Sequence, residues 1–182
     1  MGKAVLLTGK PGSGKTTLIK TLIERLPYPA GGFYTQEIRQ AGTRKGFQIV
    51  TLEGIEATLA HVELKSPWRV GKYGVDLSVL DGLAVDSITS AMRDKQLLII
   101  DEIGPMELLS QKFRQAVLEA LKSQVTMLGT IVERKIPFTE KLKSLPNVTV
   151  IQVRRDNFDA TANQMLAYLA RYLNHAQDEF SQ

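Results

Sequence analysis

Two short stretches of the chain carry residues whose types and spacing suit phosphate chemistry. The first is Gly9-Lys10-Pro11-Gly12-Ser13-Gly14-Lys15-Thr16, which satisfies G-x-x-x-x-G-K-[ST] at every fixed position. Glycines let a backbone wrap tightly and aim its N–H groups inward at phosphate oxygens. A helix that starts at the lysine adds the positive end of its dipole to that field. In such a cradle Gly9, Lys10, Pro11 and Gly12 to Thr16 enclose a triphosphate. Lys15 then reaches the β- and γ-phosphates, the Thr16 hydroxyl ligates magnesium, and Thr17 contacts the α-phosphate region. A chance match in a glycine-rich turn is the bland alternative. A dinucleotide-type loop, G-x-G-x-x-G, would not place a lysine at the helix start.

The second stretch is LLIIDEIGPMEL, residues 97–108. Asp101 and Glu102 follow four apolar residues, so they stand at the end of a buried strand, where ligands gather in parallel sheets. Asp101 is placed to hold magnesium, and Glu102 to act as general base on an attacking water. Both could instead merely cap the strand or pair with a Lys or Arg. DEIG also fits the D-x-x-G pattern of GTPase switches, but no N-K-x-D element follows to read guanine. The long interval between Lys15 and Asp101 leaves room for extra strands between the two motifs.

These residues need elements to position them. AVLLT (4–8), LLII (97–100), TMLGTIV (126–132) and VTVIQV (148–153) read as strands. Leu18, Ile19, Leu22, Ile23 and Leu26 form a helical stripe that Pro27 and Pro29 stop. Two more stripes run through Leu109, Phe113, Ala116, Val117, Ala120 and Leu121, and through Phe158, Ala162, Met165, Leu166, Leu169, Tyr172 and Leu173. Alternating strands and helices predict an α/β fold, a mainly parallel sheet with helices on both faces, giving three layers. Between about 33 and 64, GFYTQEI, KGFQIVTL and EATLAHVEL have no helix between them and predict an antiparallel meander. One domain is expected over residues 1–174, with a polar, frayed tail at 175–182.

Composition narrows the chemistry. The 182 residues include no cysteine, which excludes disulfides, a Cys nucleophile and thiolate metal sites. Only His61 and His175 are present, too few for a histidine-based zinc site. The net charge of +4 is mild, and no run of five or six like charges supports a nucleic-acid grip. No stretch is apolar for long enough to cross a membrane. A soluble, cytoplasmic and monomeric protein is the expectation.

GFYTQEIRQAGTRKGFQIVTL, RVGKYGVDL and LLIIDEIGPMEL together resemble the THEP1-type nucleoside triphosphatases, a P-loop NTPase family. The resemblance runs from about residue 3 to about residue 170. It implies a RecA-like core and magnesium-dependent hydrolysis of ATP, GTP and other nucleoside triphosphates to diphosphate and phosphate. It also implies broad base tolerance and slow turnover. One segment departs from the family pattern. Where E-N-R-D is expected after the last core strand, the chain has Arg154-Arg155-Asp156-Asn157.

Several further residues are candidates. Arg134, after the strand at 126–132, is expected to bring positive charge to the γ-phosphate, and Arg39, Arg44 and Lys72 are rivals for that role. Each is as easily a solvated surface cation. Glu107 is a helix-start acid or a supporting acid, Trp68 and Tyr73 are core residues or part of a lid with Gly71 and Gly74, and His61 is structural or exposed. Two other functions share the same groups. A kinase would have Glu102 deprotonate a hydroxyl acceptor in place of water, and a nucleotide-dependent switch or nucleic-acid-associated ATPase would couple turnover to a partner.

Overall fold

In this computed structural model residues 2–179 are described, the backbone alone from residue 174 on. The chain starts with β1 (Ala4–Thr8), the glycine loop and α1 (Lys15–Arg25). Strands β2 (Ala30–Gln40), β3 (Thr43–Thr51), β4 (Glu56–His61), β5 (Arg69–Val70) and β6 (Tyr73–Val75) follow. A helical stretch comes next, made of α2 (Leu77–Val79), a π-type segment (Leu80–Ala84) and α3 (Val85–Asp94). The remainder is β7 (Leu97–Ile103), α4 (Gln111–Lys122), β8 (Thr126–Ile131), α5 (Pro137–Lys143), β9 (Val148–Gln152) and α6 (Phe158–Glu179).

The described strands form one sheet in the order β5-β6-β4-β3-β2-β7-β8-β1-β9. The five from β2 to β9 are parallel to one another. Residues on successive positions of these strands face opposite sides, as the two-residue period of a strand requires. Leu6, Leu98, Ile100 and Met127 join one core with Ile88 and Ala91 of α3 and Phe113 and Val117 of α4. Val5, Leu7, Leu97, Ile99 and Leu128 join the other with Leu18, Ile19 and Leu22 of α1 and Met165 and Leu169 of α6. Two helical layers therefore sandwich the sheet, and each fully buried Leu or Ile contributes about 1.5–3 kcal/mol.

The meander is present and extends the sheet. β2 pairs in parallel with β7, Tyr34 opposite Asp101, and in antiparallel with β3, Gln40 opposite Thr43. Ala41 (φ 47°) and Gly42 (φ 76°) make the two-residue turn, both with positive φ as such hairpins require. β2 thus continues past the end of its pairing with β7, and the β2–β3 hairpin stands beyond the carboxyl edge of the parallel strands. The meander runs on past residue 64 through β6, which pairs with β4, and β5, which pairs with β6.

The sequence pattern predicts no helix at 77–94 or 137–143, and both are helical. In the first, Leu80, Ala84, Ile88 and Ala91 are buried at helical spacing. Asp81-Gly82 inside that stripe reads locally as a turn. Packing of the stripe onto β2 and β7 overrides that local preference. At the other end α6 continues through His175 to Glu179, where a frayed tail was expected, and residues 180–182 lie outside those described.

Candidate active site

The glycine loop leaves β1 at the carboxyl edge of the sheet and enters α1 at Lys15. Gly14 precedes the helix at φ 99°, a left-handed conformation that only glycine adopts at little cost. An added Cβ there would lie 3.3 Å from the ring of Phe158. Among the described residues, the N–H groups of Gly12, Gly14, Lys15 and Thr16 make no backbone hydrogen bond, so these donors are available to an anion. Lys15 Nζ donates to the carbonyls of Gly9 (2.9 Å) and Lys10 (3.3 Å), folding across the loop.

Two strands away, β7 carries Asp101 to the same edge, with β8 inserted between it and β1. Asp101 is 1% exposed. Its Oδ1 accepts a 2.5 Å hydrogen bond from Thr130 Oγ1 on β8, and its Oδ2 has no partner. Burial raises its pKa above the ordinary carboxylate value, against the pull of Thr130, the Thr16 hydroxyl, the Lys15 charge and the Thr35 backbone. The effects of Thr16 and Lys15 place the foot of the loop beside this carboxylate. Ser13 Oγ and Thr8 Oγ1, in the loop and at the end of β1, are also buried without partners. A cluster of unsatisfied oxygens beside free N–H donors is a polar site built for a ligand.

Glu102 follows across a cis peptide. Burial raises its pKa first, the Asp101 charge raises it further, and Lys15 lowers it. Its carboxyl makes no hydrogen bond among the described residues. At the turn that follows, a Cβ on Gly104 would stand 3.1 Å from Glu102 Oε1 and 3.3 Å from Glu107 Oε2, so two carboxyls flank one turn. Glu107 Oε2 accepts from the Gly104 N–H at 3.2 Å, and burial followed by the Glu102 charge pushes its pKa up to about 8.

The structure brings Gly9 to Thr16, Asp101 and Glu102 together. Thr17 is exposed on the first turn of α1. Arg134 is exposed on the segment after β8, with no hydrogen bond or ion pair among the described residues. Arg39 and Arg44 are engaged by a carboxylate of their own hairpin. Both bind Glu37 on the β2–β3 hairpin, at 2.6 and 2.8 Å. Lys72 lies over Tyr73, whose ring meets Phe47 edge-on at 5.3 Å, and Trp68 is half exposed. His61 accepts from the Glu63 N–H, a structural role.

One residue of the site, Thr130, was not anticipated, whereas Arg155 lies in the segment that departs from the family pattern. Thr130 carried a faint signal, a polar residue near the end of the apolar run TMLGTIV. Arg155 lies beside the loop, its Nε 3.3 Å from the Gly12 carbonyl. With Gln152, Val153, Arg154 and residues 10–13 it lines a cavity of about 370 Å³.

A parallel core ordered β2-β7-β8-β1-β9, with a strand inserted between the phosphate loop and the acidic strand, defines a P-loop NTPase of the RecA-like class. The family model described as NTPase matches residues 4–166. A relative from Thermotoga petrophila named nucleoside-triphosphatase THEP1 is 48% identical over 165 residues, 91% of this chain and 92% of that one. The crystal structure of THEP1 from Aquifex aeolicus superposes with a TM-score of 0.84 at 35% identity, covering 91% of this chain and 98% of that one. The solution structure of a human cancer-related nucleoside triphosphatase gives a TM-score of 0.79 at 38% identity, over 92% and 97%. The chain belongs to the THEP1-type NTPase family, as the three sequence segments imply. Among the described residues no helix is long and apolar enough to cross a membrane.

Proposed function

We propose that the chain hydrolyses ATP, GTP and other nucleoside triphosphates to diphosphate and phosphate at the edge formed by the glycine loop, Asp101 and Glu102. The family supports nucleoside-triphosphatase activity. The observation that carries the assignment of residues is the buried, unpartnered Asp101 Oδ2 beside Thr16 and Lys15. The free N–H groups of Gly12, Gly14, Lys15 and Thr16 bind the β- and γ-phosphates, and Lys15 exchanges its loop carbonyls for their oxygens. Base and ribose take the 370 Å³ cavity, whose long side chains of Lys10, Gln152, Arg154 and Arg155 impose no single base pattern.

Magnesium fits this donor set. Asp101 Oδ2 is a buried, unpartnered oxygen, and the Thr16 hydroxyl is a second hard donor. These two residues would hold the ion, which neutralises charge on the β- and γ-oxygens when bound. Glu102 accepts a proton from a water as that water attacks the γ-phosphorus and the bond to the bridging oxygen breaks. Lys15 stabilises the charge on that bridge, and the unpaired Arg134 swings to the equatorial γ-oxygens.

Phosphate release measured with ATP, GTP, CTP and UTP tests the proposal. All four are expected to turn over with magnesium and none without it. Lys15→Ala should abolish nucleotide binding as well as turnover; unchanged affinity would remove the loop from the site.

A further inference from the structure

Beyond Glu102, on the side away from the glycine loop, lies a second cavity of about 160 Å³. It is lined by Thr35, Phe47, Val70, Glu102, Pro105, Met106 and Glu107. The β2–β3 hairpin forms one wall, β5 another, and the turn after β7 the floor. Glu102 therefore borders this cavity while remaining within electrostatic reach of Lys15 at the phosphate loop. From the proposed hydrolysis, we infer that this cavity is a second-substrate site, where a small neutral polyol or sugar competes with water for the γ-phosphoryl group.

The lining selects that class of molecule. No Lys or Arg contributes to it, and the nearby Arg44 is held at 2.8 Å by Glu37. Two carboxyls do contribute. A nucleoside monophosphate or any other anion would be taken out of water there with no cation to compensate it. Glu102 has no hydrogen-bond partner among the described residues, and Glu107 accepts from the Gly104 N–H. A hydroxyl, which both donates and accepts, can satisfy the unpaired Glu102 carboxyl and the protonated Glu107 together, and a ligand without one would leave these groups unpaired. Phe47, Val70, Pro105 and Met106 give the carbon skeleton an apolar wall. At about 30 Å³ per water the space exceeds what one attacking water needs and matches a three- to five-carbon polyol.

The step balances with the groups present. A hydroxyl oxygen of the acceptor bonds to the γ-phosphorus as its proton passes to Glu102. The bond from phosphorus to the bridging oxygen breaks, and the nucleoside diphosphate leaves. The products are a phosphate ester, the diphosphate and one proton.

Incubation of the full chain with magnesium and ATP labelled at the γ-phosphorus, with glycerol, erythritol or ribose in turn, tests the inference. With at least one acceptor, ester is expected to form at least about tenfold more per mole of acceptor than inorganic phosphate per mole of water. Val70→Phe, which narrows the cavity from its β5 wall, should cut ester at least tenfold and leave phosphate release within about twofold. Met106→Phe serves the same purpose if the first variant fails to fold. Phosphate release with ester only in proportion to dissolved hydroxyl groups would overturn the acceptor site and spare hydrolysis. An ester yield that both filled variants leave unchanged would overturn it too. Absence of any ATP turnover would overturn both readings.

Discussion

Three carboxyls sit within one turn of chain, and burial raises the pKa of each for a reason tied to its place. Asp101 keeps one oxygen on Thr130 and leaves the other bare. Replacing Thr130 by Val removes the side-chain donor that holds Asp101 Oδ1 and leaves that buried oxygen unsatisfied, at a cost of about 1–3 kcal/mol. The variant should bind magnesium-nucleotide at least tenfold more weakly by calorimetry while binding metal-free nucleotide as the parent does; equal losses would show a merely structural role. Glu107 behaves differently. Its carboxyl ionises near 4.5 unfolded and near 8 folded, so between those values the folded chain holds a proton that the unfolded chain has released. Its contribution to stability is full below pH 4.5 and is lost as pH rises through about 8, at about 1.4 kcal/mol per pH unit at most. Glu107→Gln, whose amide oxygen still accepts from Gly104, should flatten that decline in urea unfolding between pH 5 and 8. A decline as steep as the parent's would contradict the assignment.

The elements show what sequence reveals and what it hides. The glycine loop was legible because a run of fixed residues must stand between a strand and a helix. Asp101 and Glu102 were legible because acids after LLII have one place to go. Thr130 was nearly invisible, since its role depends on which strand lies between β1 and β7, and no local pattern encodes strand order. The helix at 77–94 was hidden by Asp81-Gly82, although the structure gives Asp81 a partner: its Oδ1 accepts from Ser110 Oγ at 2.5 Å. Ser110 also caps α4, accepting from the Phe113 N–H at 2.9 Å. Ser110→Ala should therefore cost more than the roughly 1 kcal/mol of an ordinary cap, because it frees Asp81 as well. Chemical denaturation of the single variants and the double variant with Asp81→Asn measures the coupling, and strictly additive losses would contradict a shared network.

At the scale of the molecule, the sheet is the device that makes the site. β1 delivers an anion cage, β7 delivers two carboxylates, and β8 both separates them and pins one of them through Thr130. The meander then continues the same sheet past β7, so its hairpin overhangs Glu102 and closes the side away from the loop. Under the proposed mechanism Glu102 is the residue on which binding and chemistry part company: it lies outside the cage and takes the proton of the attacking water. Nucleotide affinity and phosphate release should be measured side by side on Glu102→Gln, which keeps size and removes basicity. Affinity within about threefold of the parent, with turnover down at least tenfold, is the predicted result. Turnover at the parent rate would contradict the mechanism at its centre.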